Sequence, residues 1–325
     1  MGENFNANLQ KINFSMKSKG KGSAIRLFWY RKKGEFGNFG DELGPYIIER
    51  LTRLSVEYVP IPRTGIFLIM VYIKRLLRGR TSIAMLPAVI KSLLLRGNYI
   101  TSVGSIIGWG SGPRIVWGSG ILFYNENVSD GKFLAVRGQY TQRRLRNLGY
   151  DVPDVLGDPA LLLPLILNPS PEKNYELGIV PHHTQYDHLS ELGANTGVSV
   201  INLLGDVEAI VEQITSCKCI ISSSLHGLIV AHGYGIPALW CEYAEVGWHG
   251  SDVKFFDYFS AVGILEYVPK KMPDLKNFEL DRVLTQFEES RQVTTISVDL
   301  GVLQKKLLDV APFPVITVKL ADRPN

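Results

Sequence analysis

Cysteine is scarce in this chain: Cys217, Cys219 and Cys241 are all it carries, too few for a disulfide framework. Cys217 and Cys219 are two apart on an expected strand and so share one face, as small buried apolar residues. A reducing, cytoplasmic setting is the expectation. Long apolar runs are also missing. Ile66–Ile73 is strongly apolar but too short to cross a bilayer, which takes roughly 20 residues. Residues 1–23 are polar, with Lys17, Lys19 and Lys21 and no apolar stretch of the signal-peptide kind, and read as a disordered lead rather than an export signal. Several motifs are absent as well. Without Gly-x-Ser-x-Gly there is no serine-hydrolase elbow, and without Gly-x-Gly-x-x-Gly after the first strand no dinucleotide fingerprint. No His-Glu-x-x-His or Cys-x-x-Cys occurs, so no metal and no resident cofactor are expected.

Acidic residues are missing from one long stretch. The net charge is only +4 (35 basic, 31 acidic), yet no Asp or Glu occurs between Tyr58 and Asn125. Arg63, Lys74, Arg75, Arg78, Arg80, Lys91, Arg96 and Arg114 all fall there. Basic residues flanking apolar ones suit peripheral contact with an anionic membrane surface, here its inner face. An ordinary helix with a solvated basic edge is the competing reading. The stretch lacks interleaved surface aromatics, so nucleic acid is not an expected partner.

What is present is a globular α/β grammar: 46% hydrophobic and 20% charged residues, in a chain long enough for two cores. Ala24–Tyr30 reads as the first strand. A glycine-punctuated loop follows, and Asp41 then opens a helix with Leu43, Ile47, Ile48 and Leu51 on one side. Tyr99–Ile107, Ile115–Trp117 and Phe133–Val136 read as strands, and Thr141–Leu148 as a helix stopped at Gly149. The same alternation restarts with strands at Leu177–Val180, Val198–Asn202, Cys219–Ile221 and Ala238–Cys241, and with a helix capped by Asp206. Strands alternating with helices predict parallel sheets covered on both faces. The expected organisation is two Rossmann-like domains, 24–167 and 168–325, divided near Asn168-Pro169-Ser170-Pro171, with a central cleft of GT-B type.

Ligands of open parallel sheets sit beyond the carboxyl ends of strands, and each polar cluster here follows a strand. Asn38, Asp41 and Glu42 follow the first; Asp41 could cap the helix or bind a substrate hydroxyl. Arg137 ends a strand beside Gly138, where a guanidinium can hold a carboxylate or phosphate on two bonds. His182 and His183 are adjacent at a strand end, so at most one is expected to face the cleft. Ser222, Ser223, Ser224, His226 and Gly227 form a strand–turn–helix junction, with three hydroxyls, free helix N–H groups and an imidazole around one point. Helix capping and a core histidine are the alternative there. Trp240, Tyr243 and Trp248 with Glu242 and Glu245 could form a platform for a sugar ring, although core packing competes for Trp240.

These motifs together resemble the polysaccharide pyruvyltransferase family. The matching pieces run in order: Asn38-Phe39-Gly40-Asp41-Glu42-Leu43, Val116-Trp117-Gly118-Ser119-Gly120, Val136-Arg137-Gly138, Gly157-Asp158-Pro159-Ala160, Pro181-His182, Ser223-Ser224-Leu225-His226-Gly227, Gly235-Ile236-Pro237, and Lys254-Phe255-x-Asp257-Tyr258. The resemblance implies a GT-B-like transferase that takes pyruvate from phosphoenolpyruvate and sets it as a cyclic ketal on a sugar of a cell-surface polysaccharide precursor. Members often carry Arg where this chain has Ser224. The serine form resembles the branch acting on bacterial exopolysaccharides, and it leaves Arg137 with more of the donor's charge. The roles implied are His226 as proton donor to the enol carbon, His182 or Asp41 as base, and Arg137, Ser222, Ser223, Ser224 and Gly227 at the donor. Asn38, Glu42, Glu242 and Trp248 are expected at an oligosaccharide acceptor, lipid-linked or free. A glycosyltransferase using a nucleotide sugar and a non-catalytic sugar- or phosphate-binding protein stand as alternatives.

Overall fold

The structure is a computed structural model that describes residues 24–31, 37–60, 70, 72–74, 76–79, 82–85, 98–110, 113–190, 197–243, 252–272 and 278–316. The lead at 1–23, and Arg75, Glu245 and Trp248, lie outside the described residues.

Ten described strands make two five-stranded sheets, parallel throughout, the central strands formed by apolar runs. In the first, β1 (Ile25–Phe28), β2 (Val56–Tyr58), β3 (Tyr99–Thr101), β4 (Arg114–Trp117) and β5 (Lys132–Ala135) lie in the order β2-β1-β3-β4-β5. In the second, β6 (Tyr175–Val180), β7 (Val198–Val200), β8 (Cys217–Ser222), β9 (Ala238–Tyr243) and β10 (Lys270–Met272) lie in the order β10-β9-β8-β6-β7. The longer helices among the described residues are α1 (Phe39–Thr52), α2 (Gln139–Asn147), α3 (Val207–Thr215), α4 (Leu225–Gly233), α5 (Val253–Val262), α6 (Leu280–Glu289) and α7 (Leu300–Asp309). This is a Rossmann-like α/β arrangement of both sheets.

The strand expected over Tyr99–Ile107 is cut short at Thr101. The chain leaves the sheet at Ser102, whose Oγ donates to the Trp117 carbonyl at 3.0 Å, and turns at Gly104 with φ +103°. The edge strands β2 and β10 carry no apolar run to announce them, as is usual for short edges.

A 3₁₀ segment, Pro159–Leu165, joins the two cores: Ala160, Leu161, Leu162 and Leu163 are fully buried within a cluster that also holds Leu27 and Ile47 of the first half and Ile179 and Leu228 of the second. The end of the chain returns to the first sheet. Gln304 Nε2 donates to Leu161 O at 2.7 Å, Trp117 Nε1 donates to Leu307 O at 3.0 Å, and Ile316 N donates to Leu51 O at 2.9 Å. Further bonds tie the halves together where α1 meets the segment before α3. Phe39 N donates to Leu203 O at 2.8 Å, and Glu208 accepts from Tyr46 Oη at 2.9 Å and pairs with Arg50.

Candidate active site

A cleft of about 310 Å³ opens where the carboxyl ends of strands from both sheets converge. Tyr30 follows β1, Ser105 and Trp109 follow β3, His182 and His183 follow β6, Ser224 and His226 follow β8, and Lys254 stands on α5; Asn38 and Asp41 at the start of α1 complete it. A larger hollow, about 900 Å³, lies around Asn98, Arg114 and Lys132 at the amino ends of β3–β5. Ligands of parallel sheets collect at carboxyl ends, so the smaller cleft is the candidate site.

Asn38, not Asp41, caps α1. Its Oδ1 accepts from Gly40 N at 2.9 Å and its Nδ2 donates to Asp41 Oδ2 at 2.6 Å. That frees Asp41 from capping and leaves it in the first turn, on the cleft wall. Burial, with the charge of Glu42 beside it, pushes the Asp41 carboxyl up to about 7. Glu42 itself folds back against Gly37 and does not line the cleft.

The serine cluster divides by function. Ser222 Oγ shares its one proton between Val180 O at 2.7 Å and Ser224 O at 2.8 Å, and accepts from Ser224 N at 3.0 Å. Ser223 Oγ donates to Gln185 Oε1 at 2.6 Å and accepts from His182 N at 2.9 Å. A strand that turns sharply into a helix leaves backbone groups needing partners, and these two hydroxyls supply them. They are scaffold, contrary to the expected donor contact. Gly227 likewise faces inward, packing α4 against Ser222 Oγ and Val180. Ser224 alone of the three lines the cleft, at the N-cap of α4 without a side-chain capping bond.

Arg137 departs further from expectation. Its side chain has no exposed surface: Nε donates to Asp257 Oδ2 at 3.0 Å, Nη1 to Ser105 Oγ at 2.6 Å and Nη2 to Ile121 O at 2.6 Å. Asp257 is saturated in turn by Thr141 N at 2.8 Å and Thr141 Oγ1 at 2.7 Å. The pair clasps α5 to α2, and Gly138 lets the two backbones touch, because a Cβ there would overlap the Asp257 carbonyl. A guanidinium so committed acts on the cleft through its field rather than by contact.

Among the described residues, Lys254 is a cation that does line the cleft. Burial and the nearby Arg137 charge push its ammonium down to about 8. Its motif, Lys254-Phe255-x-Asp257-Tyr258, is visible in the sequence, but nothing there separates the cleft-facing charge from the buried one.

His226 lies at the start of α4 with its ring against Gly40, so close that any Cβ on residue 40 would overlap Nδ1. Its Nε2 faces Asp158 Oδ2 at 3.9 Å. Asp158 is fully buried and caps the 3₁₀ segment through Oδ1, which accepts from Ala160 N at 3.0 Å. Burial, with Arg137 and Lys254 nearby, pushes the His226 imidazolium down to about 3, so the ring is neutral; burial lifts Asp158 to about 6.

Both His182 and His183 face the cleft, with ring centroids 4.3 Å apart. The strand ends at Val180 and a 3₁₀ turn takes over at His183–Gln185, so strand alternation no longer applies. His182 Nδ1 lies 2.9 Å from Thr184 Oγ1, and burial, with His183 and Lys254 adding to it, pushes this ring down to about 4.

The expected sugar platform is not formed by Trp240, which is buried and stacked on Phe255 at 4.1 Å. Glu242 stands on β9 opposite Lys271 and does not line the cleft. The aromatic rings that do are Tyr30 and Trp109, edge to face at 5.3 Å. Among the described residues no group of three His, Cys, Asp or Glu could hold a metal ion.

Residues 105–245 match the protein-family model described as polysaccharide pyruvyl transferase. The span holds Arg137, Asp158, His182, Ser224 and His226, whereas Asp41 and Lys254 lie outside it. An uncharacterized protein of Acanthamoeba polyphaga mimivirus is 34% identical to this chain over 170 residues, which is 50% of this chain and 59% of the relative. The chain thus spans well under two thirds of that relative's length.

Proposed function

We propose that this chain, a polysaccharide pyruvyl transferase over residues 105–245, moves pyruvate from phosphoenolpyruvate to a sugar of an exopolysaccharide or its lipid-linked precursor, forming a cyclic ketal and releasing phosphate. The observation that carries the reading is the convergence of Lys254, the α4 N-terminus at Ser224, His226 and Asp41 on one cleft at the carboxyl ends of two parallel sheets. Lys254 and the N–H groups at the start of α4 suit the carboxylate and phosphate of the donor.

The chemistry needs a proton on C3 of the enol before C2 accepts a nucleophile. His226 supplies it in this reading, and a positioned acid contributes about 10²–10⁴-fold. One sugar hydroxyl then bonds to C2, its proton passing to Asp41, whose carboxyl near neutrality suits a base better than the depressed ring of His182. Phosphate leaves as the C2–O bond breaks, and a second hydroxyl closes the ring. Of the two hydroxyl protons, one ends in the new methyl group and the other departs with phosphate. Tyr30 and Trp109 would support the acceptor ring.

A lipid-linked acceptor calls for a membrane-facing surface, and the acid-free stretch offers one. Met70, Ile73 and Leu77 share helical spacing and are 58%, 47% and 83% exposed, with Lys74 and Arg78 beside them. No helix among the described residues is long and apolar enough to cross a membrane. Contact would be peripheral, at the inner face.

Incubation with phosphoenolpyruvate and a sugar acceptor tests the reading. Acceptor-dependent phosphate release, with a pyruvate-sized mass gain on the sugar, is the expected result. Release of a nucleotide from a nucleotide sugar in place of phosphate overturns it.

A further inference from the structure

Asp158 Oδ2 and His226 Nε2 face each other at 3.9 Å, and each is a buried polar atom without a hydrogen-bond partner. Neither can easily turn away: Oδ1 of Asp158 is held by Ala160 N, and the His226 ring is pinned against Gly40. The gap exceeds a charge-assisted hydrogen bond by about 1 Å. Capping a 3₁₀ segment needs only one oxygen acceptor, which a neutral side chain supplies without burying a charge. The second oxygen, aimed at the imidazole, is unexplained by folding, and buried groups left unpaired are costly enough to require a reason.

We propose that Asp158 is the positioning residue for His226: when the donor binds, the imidazole takes up a proton and closes onto Asp158 Oδ2, which fixes the ring and holds its charge. The inference rests on the phosphoenolpyruvate reading. In the free protein burial, and after it Arg137 and Lys254, oppose a charge on the ring. A donor carrying both carboxylate and phosphate beside Lys254 offsets the share of the two cations, and a hydrogen bond to Asp158 compensates the burial of the imidazolium. Asp257, paired with Arg137, adds to the rise of the Asp158 carboxyl, and Asp41, His182 and His183 line the same cleft as His226.

Calorimetry of phosphoenolpyruvate binding at one pH, in two buffers of different ionisation enthalpy, counts protons taken up. The wild-type protein should take up about one proton more per donor bound than Asp158→Asn, which keeps the Oδ1 acceptor for Ala160 N and, losing the linked proton, should bind the donor about 10-fold more weakly at neutral pH. With acceptor present, Asp158→Asn should also lower kcat by about 10²-fold or more. Equal proton uptake by the two proteins overturns the inference. Should Asp158→Asn not fold, His226→Gln decides the same comparison, since it too must lose the extra proton. A wild-type protein that binds the donor without proton uptake removes this inference alone, whereas one that does not bind it removes the donor reading as well.

Discussion

The guanidinium of Arg137 and the carboxylate of Asp257 meet at 3.0 Å with both side chains wholly buried, across 120 residues of chain. Every oxygen of that carboxylate accepts a hydrogen bond, from Arg137 or from Thr141. The pair therefore belongs to the frame of the cleft, and its guanidinium adds to the burial that lowers Lys254 and His226.

Removing one partner strands the other as a buried charge. Asp257→Ala should lower folding stability by about 3–5 kcal/mol, read as a drop in the denaturant midpoint. Arg137→Ala should do the same. A well-folded Arg137→Ala protein with only a raised donor KM would instead restore Arg137 to direct contact with the donor.

Lys254 carries that contact in this account. Lys254→Ala should keep the fold and raise the donor KM by about 10–100-fold, the worth of one charge-assisted bond of roughly 1.5–3 kcal/mol. Steady-state kinetics at varied phosphoenolpyruvate concentration measure it. An unchanged KM places the phosphate elsewhere.

Asp41 predicts a pH dependence of folding. Its carboxyl is raised from 3.8 to about 7 in the folded protein, so the folded state holds the proton more tightly than the unfolded chain. The resulting stability is full below pH about 4 and is lost as pH rises through about 7. Asp41→Asn should therefore show a smaller fall in Tm between pH 5 and pH 8 than the wild type, and should lose transferase activity. Identical Tm profiles would mean that the carboxyl is not held near neutrality.

Acid should act in the opposite sense through His232. The buried ring accepts from Tyr258 Oη at 3.0 Å through Nδ1 and donates from Nε2 toward Thr294 O at 3.1 Å, an arrangement that needs the neutral form. Burial lowers its pKa from 6.5 to about 4, so its contribution is intact above pH about 6.5 and fades as pH falls toward 4. His226 and His182 are lowered in the same direction. Denaturant titrations at pH 7.5 and pH 5 should show the loss in the wild type, and His232→Gln should reduce it.

Strands buried on both faces read as unbroken apolar runs, which is why β4, β6 and β8 are legible from sequence to within one or two residues at each end, and the Asp206 cap marks the start of its helix. The cleft is legible too, since its loops follow those strands. Orientation is not. Ser222, Ser223 and Ser224 are alike in sequence, and only the turn into α4 decides that the first two satisfy backbone groups while the third faces the cleft. Arg137 reads as an anion grip because its partner Asp257 is distant in the chain. Lys254, within a few residues of Asp257, could be told from it only by seeing which charge the helix turns inward. Trp240 reads equally well as platform or core, and its stacking on Phe255 settles it as core.

Phosphoenolpyruvate, on the proposed reading, binds through Lys254 in the cleft between α1, α4 and α5. Titration calorimetry with the purified chain should show saturable binding of phosphoenolpyruvate that Lys254→Ala weakens by about 10-fold or more. Heat from a uridine- or guanosine-diphosphate sugar, with none from phosphoenolpyruvate, would contradict it.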